Sequence, residues 1–188
     1  HAGGNVAARL AVDAWVQRMK KCLPGQIEER DLRVAAADAN RVVYAAALSD
    51  PALRSMGTTL VAACFRRDGT LLTSNIGDSR MYRLRGDVLT CLTCDHSVLR
   101  EQCDAGIIES ESHGPLALRG LLTRAVGVAA CVIADVTISS LQPGDVYLLC
   151  SDGLNEMLPD ADIAHVLGAL SGNPRLAAEH LVDLANDR

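Results

Sequence analysis

Asp152 closes the run Val146-Tyr147-Leu148-Leu149-Cys150-Ser151-Asp152-Gly153-Leu154, in which an apolar strand passes without a polar break into a carboxylate, a glycine and the start of a helix. A carboxylate buried at the end of a core strand is costly unless a cation or a set of donors compensates it, so Asp152 needs a partner. The neighbouring glycine lets backbone approach closely. A helix cap is the plainer use of the same residues, since Ser and Asp both cap well. A second acid, Asp95 in Leu92-Thr93-Cys94-Asp95-His96-Ser97, also stands where a strand ends and a helix can begin, which is the place of an N-cap or a turn residue. Gly77-Asp78-Ser79-Arg80 reads as a hairpin turn braced by Asp78 and Arg80.

Cys91-x-x-Cys94 is the one close pair among seven cysteines. Zinc would have to recruit Cys103, His96 or His113, and no second CxxC or HxxxH completes a tetrahedral set. A redox pair of the thioredoxin kind opens a helix, whereas these residues follow the strand-like Val88-Leu89-Thr90. The pair is therefore read as ordinary packing, with a zinc or redox module kept as the alternative of a different class. The odd number of cysteines, several inside apolar runs such as Ala62-Ala63-Cys64-Phe65, predicts buried thiols in a reducing cytoplasm rather than a disulfide framework.

The elements that must position these residues follow from periodicity. Apolar groups at Val6, Leu10, Val12, Trp15, Val16 and Met19 predict a helix over 5–22, and Leu32, Ala36, Ala39, Val43 and Ala46 predict a longer one from Ile27 to Leu48, ended by Ser49-Asp50-Pro51. Short β-type runs follow, Thr58 to Arg66, Leu71 to Ile76, Arg80 to Leu84 and Val88 to Leu92, separated by Asp68-Gly69, Gly77-Asp78 and Arg85-Gly86-Asp87. Asp-Gly and Gly-Asp between apolar runs predict an antiparallel meander. Residues 97 to 120 read as a partly helical excursion, of the kind that is often functional. Val132 to Leu141 and Val146 to Cys150 read as a further hairpin across Gln142-Pro143-Gly144-Asp145, and helices return at about Gly153 to Met157, Pro159 to Leu170 and Asn173 to Ala185. Helices, then antiparallel strands, then helices, with no βαβ alternation, predict the α+β class.

Composition narrows the function. The 188 residues are 49% apolar and 22% charged, which fits one compact domain over 1–188, and no apolar run approaches the ~20 residues of a membrane span. Eighteen Lys and Arg against twenty-three Asp and Glu, with one Trp, three Tyr and one Phe, argue against a nucleic-acid partner on both charge and stacking. There is no G-x-G-x-x-G, no P-loop and no G-x-S-x-G nucleophile elbow.

Taken in order, Gly57-Thr58-Thr59-Leu60, Asn75-Ile76-Gly77-Asp78-Ser79-Arg80, Thr93-Cys94-Asp95-His96-Ser97, Leu122-Thr123-Arg124-Ala125-Val126-Gly127, Pro143-Gly144-Asp145 and Ser151-Asp152-Gly153-Leu154 resemble the metal-dependent protein phosphatases of type 2C. The opening His1-Ala2-Gly3-Gly4 with Val6-Ala7 and Leu10-Ala11-Val12 is similar to the first long helix of the bacterial branch. The resemblance implies a sandwich of two antiparallel sheets flanked by helical pairs. It also implies hydrolysis of phosphoserine and phosphothreonine in phosphorylated proteins, in opposition to a serine/threonine kinase, by a water activated on Mg²⁺ or Mn²⁺, with two ions and a possible third. Carried over residue by residue, Asp152 matches a ligand of the second metal, Asp95 matches an aspartate that helps hold a third, weaker ion, and about 100 to 120 match a flap beside the site.

Three family features have no counterpart in the chain: an Asp-Gly dyad upstream of the first helix, an earlier phosphate-binding Arg and an Asp-Asn pair on a last strand. The expectation is a fragment of a longer protein, with terminal strands missing, no catalytic residue assigned and little activity of the 188 residues alone. A non-catalytic regulatory or binding module on the same fold is the alternative. His1 is given no role.

Overall fold

The computed structural model describes residues 3–22, 26–110 and 114–188. Six strands and six α-helices appear among them in an α+β order. By its contacts the chain divides into two compact units, His1–Asp78 with Asp95–Ser140, and Ser79–Cys94 with Leu141–Arg188.

In the first unit, α1 (Gly4–Met19) and α2 (Glu29–Ser49) form a pair. The Glu28 N–H donates to Asp31 Oδ2 at 2.9 Å, which starts α2 by satisfying one of its orphan donors, and Pro51 ends it. The facing residues are small: Ala7 and Ala11 of α1, and Ala36, Ala39, Val43 and Ala47 of α2, are buried in one cluster with Met56, Leu60, Ile76 and Val126. Alanine at three- and four-residue spacing lets two helix backbones approach closely and carry little side-chain entropy cost. The sheet beside them has the order β1-β2-β5, with β1 at Leu60–Phe65, β2 at Thr70–Ile76 and β5 at Asp135–Ser140, all antiparallel. Leu60 faces Ile76 across β1 and β2, and Asn75 faces Asp135 across β2 and β5. A short helix, α3 (Val98–Asp104), is capped by Ser97, whose hydroxyl accepts from the Arg100 N–H.

The second unit holds a sheet of order β4-β3-β6, with β3 at Arg80–Arg85, β4 at Val88–Cys91 and β6 at Val146–Cys150. Three helices accompany it: α4 (Asp152–Asn155), α5 (Asp160–Ala169) and α6 (Pro174–Asn186). Its core is built from larger side chains, Leu84, Leu154, Leu158, Ile163, Val166, Leu167 and Leu181, each of which contributes about 1.5–3 kcal/mol on leaving water. Asn173 caps α6 by accepting from the Leu176 N–H, with Pro174 in the first turn.

The helices and strands fall close to their predicted spans, but the pairing differs. The predicted meander is two hairpins, β1 with β2 and β3 with β4, and Gly77-Asp78-Ser79 is not a hairpin turn, because β2 is paired with β1 and β5 while β3 is paired with β4 and β6. Likewise β5 and β6 do not pair with each other, and the chain passes from one sheet to the other between Leu141 and Asp145. Gly-Asp satisfies the local chemistry of either kind of turn, so the dipeptide could not tell them apart. The strand predicted from Val132 begins only at Asp135, because arginine side chains rather than a neighbouring strand take the carbonyls before it: Arg124 Nη1 donates to Ile133 O and Arg33 Nη1 to Ala134 O. The excursion over 97–120 contains α3 and a 3₁₀ turn at Leu116–Leu118, while His113 falls outside the described residues. None of the seven cysteines is fully buried, against expectation; Cys91, Cys94 and Cys131 are exposed and the other four half-buried, and none is in a disulfide. β1, β4 and β6, which carry Cys64, Cys91 and Cys150, lie at sheet margins, where one flank has no partner among the described strands.

Candidate functional site

Asp95 and Asp152 sit in different surroundings. Asp95 lies between β4 and α3 and is 8% exposed. It is not the cap of α3; that role falls to Ser97. Asp152 is exposed, contrary to the expected burial, and is the first residue of α4, with its Oδ1 accepting from the Gly153 N–H at 2.9 Å. The reason is that β6 pairs with β3 alone among the described strands, so its end emerges at the margin of the sheet. Both carboxylates offer the hard oxygen donors that Mg²⁺ and Mn²⁺ select. Among the described residues, however, no group of three or more His, Cys, Asp or Glu is gathered to hold an ion. The two aspartates therefore fit a metal as single ligands and do not amount to a complete cage. The same observation removes support for zinc at Cys91 and Cys94: Cys91 Sγ donates to the Thr93 carbonyl at 3.3 Å, and both residues are exposed and outside any disulfide.

Around Asp95 the chain is tied by a polar network that the sequence analysis did not assign. The adjacent His96 is 3% exposed and uses every polar group that it has. Its N–H donates to Gly77 O at 3.0 Å and its carbonyl accepts from the Thr123 N–H at 2.9 Å. Its ring Nδ1 accepts from the Gly77 N–H at 3.1 Å, which leaves Nε2 to carry the proton and donate to Asp135 Oδ2, also at 3.1 Å. Asp135 is held from the other side by Arg124, whose Nη1 donates to Oδ1 at 2.6 Å. Burial works against the Asp135 carboxylate, and the hydrogen bonds from Arg124 and His96 outweigh it, holding its pKa below the usual carboxylate range. The register supplies the geometry: Asp135 is opposite Asn75, β2 ends one residue later at Ile76, and Gly77 follows directly. Gly77 has φ +104°, and a Cβ there would run into the side chain of Thr59, so only glycine serves.

A second buried amide fixes the segment that follows Arg124. Asn40, on α2, accepts from the Gly127 N–H at 2.7 Å and donates to the carbonyls of Ala129 and Ala130 at 3.0 and 3.3 Å. Thr58 and Val126 exchange backbone hydrogen bonds of 3.1 and 2.8 Å, which joins the Gly57-Thr58 segment to the same strip. Asp135 was legible as the one acid in the apolar run Val132-Ile133-Ala134-Asp135-Val136; nothing local in the sequence points to Asn40.

The Pro143-Gly144-Asp145 motif does different work. Asp145 accepts from Arg85 through Nε at 2.7 Å and Nη2 at 2.8 Å, from the Gln142 N–H at 2.9 Å and from the Tyr147 hydroxyl at 2.8 Å. Arg85 holds the Asp145 carboxyl well below the usual range, while burial and the bond to Asp145 push the Tyr147 phenol up.

Residues 1–181 match the family model of protein phosphatase 2C. The serine/threonine phosphatase stp of Listeria innocua is 36% identical over 171 residues, which cover 89% of this chain and 67% of the relative. The serine/threonine protein phosphatase PstP of Mycobacterium tuberculosis is 34% identical over 187 residues, 98% of this chain and 35% of the relative. Among solved structures, the catalytic domain of PstP in complex with two manganese ions superimposes with a TM-score of 0.82 at 33% identity, over 98% of this chain and 76% of that one. The serine/threonine phosphatase of S. agalactiae gives a TM-score of 0.85 at 28% identity, over 100% of this chain and 77% of that one. The order of the motifs, the two helix-backed antiparallel sheets and these matches agree: the chain belongs to the protein phosphatase 2C family.

Proposed function

We propose that the protein carrying this chain removes phosphate from phosphoserine and phosphothreonine in proteins with the help of Mg²⁺ or Mn²⁺, and opposes a serine/threonine kinase. The family match over residues 1–181 carries this reading, because it runs through both compact units and through every motif of the series. On this reading 1–188 is one phosphatase-like domain and about 100–120 its flap. When bound, the metal ions supply an activated water and neutralise charge on the phosphoryl group. We assign Asp152 as a ligand of the second metal and Asp95 as a ligand of a further, weaker one. The hydrogen bond from the Gly153 N–H holds one oxygen of Asp152, and the other stays open to a cation. Seven cysteines with no disulfide among them are in keeping with a reducing, cytoplasmic place of action.

One observation favours the regulatory-module reading: no described cluster gathers three ligands. For that reason the 188 residues alone are expected to bind Mn²⁺ weakly and to turn over slowly, and the test belongs to the full-length protein. Phosphate release from a phosphothreonine peptide should require Mn²⁺ or Mg²⁺ and stop on chelation. Asp152→Asn should lower turnover more than about 100-fold, beyond what loss of an outer partner of a metal ligand typically costs. Activity that survives chelation, or a thiol-sensitive covalent phosphoenzyme, overturns the proposal.

A further inference from the structure

We propose that His96 is a positioning residue for Asp95, and that Asp135 and Arg124 act through it. The inference rests on the reading of Asp95 as a metal ligand. A buried imidazole beside a candidate ligand could be mere filling, but His96 joins three separate stretches of chain at once. Backbone and ring together make two bonds to Gly77 and one each to Thr123 and Asp135, so the peptide that carries Asp95 is anchored on one side only one residue away. The anchor is rigid at each end. Gly77 is confined by its contact with Thr59, and Asn75 Nδ2 donates to the Gly77 carbonyl at 3.3 Å, so that carbonyl takes both Asn75 and His96. Asp135 is set by its place opposite Asn75 and by Arg124. Arg124 lies in the strip whose Thr123 N–H bonds back to His96, which closes a ring of contacts from 96 to 135 to 124 to 123 and again to 96. A carboxylate that binds a cation gains affinity when its oxygen is held in place beforehand, because the ordering cost is then met on folding and not on binding.

His96 can be divided into its two ring functions. His96→Asn keeps an acceptor near Nδ1 for the Gly77 N–H and loses the reach to Asp135; His96→Gln keeps a donor near Nε2 and loses the bond from Gly77. Asp135→Asn removes the carboxylate from outside the core, so it gives a folded variant even if a His96 change does not. In the 188-residue chain, amide exchange at Gly77 and Thr123 reports the anchor, and paramagnetic broadening of the amides of 95–97 by added Mn²⁺ reports the ligand, even at weak affinity. We expect Gly77 to exchange at least about 10-fold faster in His96→Gln, and the Mn²⁺ concentration for half-broadening at 95–97 to rise about 10-fold in His96→Gln and in Asp135→Asn, the loss typical of an outer partner of a metal ligand. Asp145→Asn, destabilised in the other unit, should leave that concentration unchanged. If His96→Gln and Asp135→Asn broaden like the parent, His96 is structural and the proposal falls alone. If the parent chain shows no broadening at 95–97, or Asp95→Asn does not diminish it, the metal-ligand reading of Asp95 fails and the proposal falls with it.

Discussion

Asp145 and Asp135 each meet an arginine, yet the two pairs are built for different ends. The Asp145 side chain is 2% exposed and its oxygens are filled by Arg85, Gln142 and Tyr147, all within one sheet and its connecting turn. The Asp135 side chain is 43% exposed at the start of an edge strand, and its partners Arg124 and His96 lead away to two other segments. A closed, fully satisfied carboxylate stabilises its own neighbourhood and offers nothing to a ligand. An open one that passes its hydrogen bonds on can set the place of a residue that it does not touch. Presence of an Asp-Arg pair thus says little about function; where its remaining hydrogen bonds go says more.

The two sites should differ most at their glycines. Gly77 has φ +104° and no room for a Cβ beside Thr59, whereas Gly144, next to Asp145, has φ +87° and open space around it. Gly77→Ala should cost about 2–5 kcal/mol, the sum of left-handed strain and overpacking, and Gly144→Ala only the strain of about 1–2 kcal/mol. Chemical denaturation of both variants checks this, and equal losses would show that the corner at Gly77 can relax.

Next in size is Asp145→Asn, expected to cost about 1–3 kcal/mol because Arg85 and Tyr147 lose a charged partner. Since the folded-state pKa of Asp145 lies below that of the unfolded chain, the contribution of its charge is complete above the unfolded value of about 3.9 and is lost as the pH falls through the folded one. The stability gap between parent and variant should therefore be flat from about pH 5 to 8 and narrow below about pH 4. A gap that instead widened in acid would reverse the sign of the assignment. The smallest effect sharpens the role of burial: Arg175 and Glu179 pair at 2.9 Å on the surface of α6, and Arg175→Ala should change stability by no more than about 0.5 kcal/mol, read from the same denaturation curves.

The parts of this molecule that were legible in the sequence are those that depend on neighbours along the chain. Apolar spacing placed α1, α2, α5 and α6, alternation and turn residues placed the strands, and the ordered motifs resembled the family to which the chain belongs. Pairing was not legible, because the same Gly-Asp dipeptide serves a hairpin and a passage between sheets, and which of these forms depends on strands far away: β5 takes the free side of β2, and β6 that of β3. Burial was legible only in part. Asp152 looked like a carboxylate driven into a core, and tertiary structure left it exposed at a sheet margin; Cys64 and Cys150 lie in apolar runs, and edge strands leave both half-buried. The network on His96 was least legible of all, because hydrogen bonds between residues 19 and 39 positions apart carry no local signature. Residue type and near spacing decided which elements form and which acids are available. Only the folded backbone decided which polar groups meet, since those meetings are set by strand register and by positive-φ glycines rather than by the side chains on either side.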